Sequence, residues 1–264
     1  MNYSYIPISN WQLILSVSLI LITGLVSSLF QLGLLKSLLW GSVRAFLQLT
    51  MIGYALTFIF SNNKLYIILP VIILMCLIAS REASRRVGKA PGKPILVSFI
   101  ALTCSTFIVG LIVVMLVISP TPLYSAQVII PIFGMILGNS MNGIALSLDR
   151  MYSEIGSHIE QVEQLLCLGA SPWEAVRSQV KKAVSAGMMP TINSLMVVGL
   201  VSLPGMMTGQ ILAGMDPREA VRYQFVVMIM IAAAVAIGCL MIVGLTYKKI
   251  FTNDMAIIEV LRKN

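Results

Sequence analysis

Residues 95–118, ILVSFIALTCSTFIVGLIVVMLVI, are followed by Ser119-Pro120-Thr121-Pro122 and then by 125–147, SAQVIIPIFGMILGNSMNGIALS, with no charged side chain anywhere in the run. A helix crossing a hydrocarbon core of about 30 Å uses about 20 residues, so this stretch holds two crossings rather than one. The prolines at 120 and 122 divide it, because each ends a helix and favours extended backbone. The stretch is therefore a hairpin of two membrane spans, which makes the chain a polytopic, all-α membrane protein.

The same ruler extends outward from the hairpin. Charge is also absent from 1–35, 183–215 and 223–247, and about seven spans result, near 11–31, 40–60, 65–80, 95–118, 125–147, 187–209 and 222–247. They read as a single transmembrane domain over 1–264. Trp11 suits the interface at the start of the first span, Ser61-Asn62-Asn63-Lys64 forms the turn after the second, and Arg81 stops the third. Composition agrees: 58% of the 264 residues are hydrophobic and 11% charged, against about a quarter charged in a soluble domain. A soluble nucleic-acid binder is excluded despite the net charge of +8. Cys76, Cys104, Cys167 and Cys239 contain no CxxC pair, so they read as small hydrophobes rather than a disulfide or zinc framework. The first apolar run is longer than that of a signal peptide and lacks a basic leader, so it reads as a retained span.

The 18 Lys and Arg residues fix an expected orientation. With the N-terminus outside, 15 of them fall on the cytoplasmic side, among them Lys36, Arg44, Arg81, Arg85, Arg86, Lys89, Lys93, Arg150, Arg177, Lys181 and Lys182, and the C-terminus is cytoplasmic; only Lys64, Arg218 and Arg222 remain opposite. The strongly basic loop from Arg81 to Lys93 reads as a positive-inside anchor or as a contact with a partner or anionic lipid.

The longest stretch outside the spans, 149–186, reads as two cytoplasmic helices meeting at a glycine. Ile155, Ile159, Val162, Leu165 and Leu166 recur at helical spacing, with Glu154, Glu160 and Glu163 on the other side. Gly169 suits a left-handed helix end. Ser171 is a natural N-cap, Pro172 fits the first helical position and Glu174 completes a capping box. The second helix then continues towards the sixth span.

Glu163-Gln164-Leu165-Leu166-Cys167-Leu168-Gly169-Ala170-Ser171-Pro172-Trp173-Glu174-Ala175 resembles the cytoplasmic "EAA" coupling loop of ABC transporter permeases, although Gln179, Lys181 and Lys182 replace its usual Ile-x-Leu-Pro ending. Together with Arg44-Ala45-Phe46-Leu47-Gln48-Leu49, the run from Gly138 to Gly143 and the run from Ser202 to Gly214, it is similar to the FetB-type permease family. The resemblance implies a multi-pass subunit of the bacterial inner membrane linked to iron export. It implies a separate ABC ATPase docking on 150–182 through Glu163, Gly169, Ala170, Ser171, Trp173 and Glu174, with ATP and Mg bound in that partner and no cofactor in this chain. A plant branch of the family is associated with aluminium tolerance. The importer-type loop keeps open an importer for another metal or small solute, and a membrane scaffold that moves nothing is the alternative from another class. Seven spans are few for a complete pathway, which motivates a homodimer.

Candidate pathway residues follow from buried polarity. Met135, Asn139 and Asn142 share one face of the fifth span, and amides are costly in lipid unless paired, so this face serves either helix-to-helix hydrogen bonding or a substrate path. Met206 and Gln210 lie one turn apart beyond Pro204, where a broken helix would line a site. Gln48 lies one turn from Arg44, which either snorkels to the interface or belongs to a gate. Gly134 with Gly138, and Gly205 with Gly209, have the GxxxG spacing of close helix approaches. His158 reads as a surface residue, since it lacks partners for a metal site. No GxxxxGK[ST] loop, Ser-His-Asp set, HExxH or carboxylate pair is visible, so the chain is expected not to be an enzyme and to draw energy from its partner.

Overall fold

The structure, a computed structural model, describes residues 9–31, 33–87, 94–252 and 256–258. Of the 15 basic residues assigned to the cytoplasmic side, Lys89 and Lys93, named above, and Arg262 and Lys263 near the C-terminus lie outside the described residues. The described chain is helical and follows the order α1 (Asn10–Leu29), α2 (Leu35–Asn62), α3 (Leu65–Arg85), α4 (Ile95–Ile112) with a π-helical continuation (Val113–Ile118), α5 (Ala126–Ser157), α6 (Ile159–Cys167), α7 (Pro172–Val197), α8 (Gly205–Leu212) and α9 (Pro217–Thr246). Among the described residues, α2, α3, α4 with its continuation, α5 and α9 are long and apolar enough to cross a membrane.

The hairpin forms as its sequence dictates: Ser119 takes a left-handed conformation after the π-helical turns, and α5 starts again at Ala126. Asn63 completes the join, its side-chain oxygen accepting from the Ala126 amide at 2.8 Å. The hub is α5, which packs against α3, α4, α7 and α9. Ile136, Ile144, Leu148, Met151 and Ile155 are fully buried on it, and Phe133 meets Phe107 of α4 edge-on with ring centroids 5.4 Å apart. Helices α1 and α2 pack on each other and leave most of their apolar surface open, as lipid-facing helices do.

Three expectations need correction. The sixth span, expected as one helix over 187–209, is instead the end of α7, a turn, and the separate helix α8. Helix α7 stops at Val198, whose backbone is extended; Gly199 follows at φ +81° and its amide donates to the Ser202 carbonyl at 2.9 Å. The charge-free part of α7, 183–197, is only about 22 Å long at 1.5 Å per residue, too short to cross unaided. The last span begins at Pro217 rather than 222, because Asp216 caps it and accepts from the Arg218 amide at 2.8 Å. Finally, the expected close approaches at the two GxxxG pairs do not occur. A Cβ built on Gly138, Gly205 or Gly209 meets nothing within 4 Å, and one on Gly134 meets only the tip of Met75. The close approach is between helices, at Gly143 of α5 and Gly187 of α7.

Candidate functional site

Two regions bring the sequence candidates together: the α6–α7 joint and the seam between α5 and α7.

At the joint, α6 ends at Cys167, Gly169 turns the chain at φ +90°, and α7 starts after Ser171 with Pro172 in its first turn. The capping box is formed as its sequence requires. The Ser171 amide donates to the Glu174 carboxylate at 2.8 Å, the Ser171 hydroxyl donates to it at 2.6 Å, and the Glu174 amide approaches the Ser171 oxygen at 3.4 Å. The hydroxyl and then the amide of Ser171 hold the Glu174 carboxyl below the usual carboxylate range. A depressed folded pKa makes this contribution present above the unfolded carboxylate pKa and lost as pH falls through the folded one. Ser171→Ala is therefore expected to lower amide-exchange protection over 172–176 at neutral pH. Lowering the pH through the carboxylate range should bring the wild-type protection down towards that of the variant, as measured by hydrogen exchange with mass spectrometry.

Trp173 meets Tyr247 edge-on with centroids 5.3 Å apart, tying the start of α7 to the end of α9. On the other side of the turn Leu168 is 84% exposed, and an open groove of about 550 Å³ runs along Glu160, Glu163, Gln164, Cys167 and Leu168. The joint thus presents an apolar tip with an acidic flank, and α7 runs from it as one helix into the transmembrane bundle.

Glu154 departs from its expected place on the solvent side. It is buried near the end of α5, where Arg150 reaches it at 2.6 Å and Lys182 of α7 at 3.0 Å. The cause is α7 passing over this turn, which a periodicity read along one helix does not contain. His158 is half-buried at the break between α5 and α6, its Nδ1 2.8 Å from the Glu154 carbonyl oxygen.

At the seam, Asn139 and Asn142 line a cavity of about 140 Å³ together with Thr191, Ser194, Met228 and neighbouring small residues of α5 and α7. The Asn139 amide donates to the Met135 carbonyl at 2.9 Å. The Asn142 side-chain oxygen accepts from the Arg86 guanidinium at 2.6 Å, a pairing across 56 residues that the sequence did not announce. Met135 itself packs against the core one turn away and does not line the cavity. Nor do Gln48, which is exposed on α2, or Met206 and Gln210 of α8. The Gln210 side-chain oxygen is buried without a hydrogen-bond partner. Among the described residues no group of three His, Cys, Asp or Glu side chains is placed to hold a metal ion.

The profile of the family described as "Uncharacterised protein family (UPF0014)" matches residues 10–251. The chain is 34% identical to "Probable iron export permease protein FetB" of Escherichia coli (strain K12), over 93% of each chain. It is 37% identical to "UPF0014 membrane protein YjkA" of Bacillus subtilis (strain 168), over 91% of this chain and 95% of that protein. It is also 35% identical to "Protein ALUMINUM SENSITIVE 3" of Arabidopsis thaliana, over 79% and 75%. No solved structure matches the chain.

Proposed function

The chain belongs to the UPF0014 family of membrane proteins, and from that membership we propose that it is the permease subunit of an ABC transporter exporting iron across the inner membrane. Two copies form the pathway, and a separate ATPase docks on 150–182 and supplies ATP, Mg and the energy. The observation that carries this reading is the joint at Gly169: an exposed, acidic-flanked tip continuous through α7 with the bundle. A rigid helix leading from a docking tip into a membrane bundle converts movement of a partner into movement of the span. The iron comes from the name of the Escherichia coli relative, and the name of the Arabidopsis relative leaves room for another metal.

Open surface supports the pairing of two copies. Asn139, Asn142 and Ser194 line the cavity yet remain exposed on a single chain, and amides facing lipid are costly; a second copy seated on this seam would enclose them. The distribution of basic residues supports an N-terminus outside and a C-terminus in the cytoplasm.

Inside-out vesicles containing the permease and its ATPase test the reading. ATP-dependent accumulation of iron that disappears when the permease is omitted is the expected result. Absence of any ATP-driven flux would leave the scaffold alternative standing, and flux in the opposite direction would make the protein an importer, the alternative that the EAA-like loop keeps open.

A further inference from the structure

We infer that the α5–α7 seam takes a carboxylate-bearing anion, free or as its metal complex, rather than a bare divalent cation; the inference rests on the permease reading above. Three observations carry it, two on the α5–α7 pair and one at the end of α3, where Arg86 reaches Asn142. The cavity offers amides and hydroxyls, from Asn139, Asn142, Thr191 and Ser194, and no carboxylate, imidazole or thiol. Those groups hydrogen-bond to an oxyanion or a neutral ligand, whereas for a bare dication the lining offers only neutral oxygens and the single Met228 thioether, with no anionic donor to offset its charge. The charged side chain in contact with the cavity wall is cationic: Arg86, whose guanidinium lies 2.6 Å from the Asn142 oxygen. It is permanently charged, repels a dication and presents further N–H groups in the fork that matches a carboxylate.

One to two turns further along both helices, towards the Glu154 end, an open groove of about 610 Å³ is lined by Leu146, Ala186, Met189 and three cations, Arg150, Lys181 and Lys182. Glu154 pairs with Arg150 and Lys182, so one negative charge is set against three positive ones. A groove with net positive charge and low-dielectric walls raises the local concentration of anions and depletes cations. Groove and cavity share the seam: α5 contributes Arg150 and Leu146, then Asn142 and Asn139, while α7 contributes Lys182 and Ala186, then Gly187 and Ser194. An anion drawn to the basic groove meets the amides next, Asn142 being the one held by Arg86, and neither lining contains a carboxylate. A metal travels this path with its charge covered by the ligand that carries it.

The test is equilibrium binding to the full-length permease in nanodiscs of phosphatidylcholine, so that no anionic lipid competes. The probes are citrate, ferric citrate and Fe(II) alone. Saturable binding of citrate or ferric citrate is expected, and comparing the two separates a free anion from a chelate. Arg86→Gln and Lys181→Glu should each weaken that binding by about tenfold or more, the scale of a lost charge-assisted hydrogen bond, and Fe(II) alone should not bind. Lys181→Glu alters an exposed side chain and keeps the test decisive if Arg86→Gln fails to fold. Binding of Fe(II) alone, anion binding that ignores both substitutions, or no binding of either anionic probe would each overturn the inference. The permease reading fails separately, on loss of the ATPase association or of ATP-driven flux.

Discussion

Gly187→Ala is expected to cost about 1–3 kcal/mol of stability, the range for overpacking a filled interior, and Gly187→Leu to abolish recovery of folded protein. A Cβ at 187 would press on the Ser147 hydroxyl, lie 2.6 Å from the Gly143 carbonyl oxygen and 3.0 Å from the Cys239 sulfur. Backbone cannot yield as the end of a flexible side chain does, so α5 and α7 must separate. These two helices carry the cavity and its basic groove, and α7 leads to the α6–α7 joint; separation would disturb both. Gly138→Ala is the control, since a Cβ there meets nothing within 4 Å. Thermal unfolding of the purified variants in detergent checks the prediction. Equal melting temperatures for Gly187→Ala and Gly138→Ala would contradict it.

Asn142→Leu is expected to lower transport by about tenfold or more while leaving ATPase association intact. The substitution is close in size and removes the acceptor that holds the Arg86 guanidinium. A charge losing its hydrogen-bond partner is worth about 1.5–3 kcal/mol, and each 1.4 kcal/mol is a factor of ten. The change falls on the wall of the cavity, far along α5 from the α6–α7 joint beyond its other end, so the two readouts should part. Flux in vesicles and copurification of the ATPase measure them on one preparation. Undiminished flux would reduce Asn142 to a packing residue, and Asn139→Leu then becomes the remaining test of the cavity.

What the sequence revealed follows the range of the forces involved. The capping box at Ser171 and Glu174, the positive-φ turn at Gly169 and the prolines dividing the hairpin act within a few residues, so they were legible and they formed. The Gly143–Gly187 approach, the Arg86–Asn142 pair and the Glu154–Lys182 pair join residues 28 to 56 positions apart. No spacing rule along one helix contains them, and periodicity accordingly put Glu154 on the wrong side. The break at 198–204 lies between: Gly199 and Pro204 were present as signals, yet apolarity continues through Leu200 and Val201, both more than 80% exposed. Hydropathy records a preference for lipid and says nothing of where the backbone turns. The candidate site was legible to the same extent. Asn139 and Asn142 line the cavity, whereas Met135, which shares their helix face, and Gln48, Met206 and Gln210, named by their one-turn spacings, do not; a helix face tells which residues point the same way, not where along it the neighbouring helix leaves a gap.

Docking of an ATPase on the joint between α6 and α7 is tested by copurifying the ATPase with tagged wild-type permease, with a variant lacking 160–175, and with Gly169→Val, with ATP hydrolysis in the eluate as the readout. A β-branched residue is strained at φ +90°, so Gly169→Val redirects the tip without deleting it. ATPase activity is expected to elute with the wild type and to be lost with both variants, while the permease itself remains monodisperse. Undiminished ATPase recovery with the 160–175 deletion would contradict it.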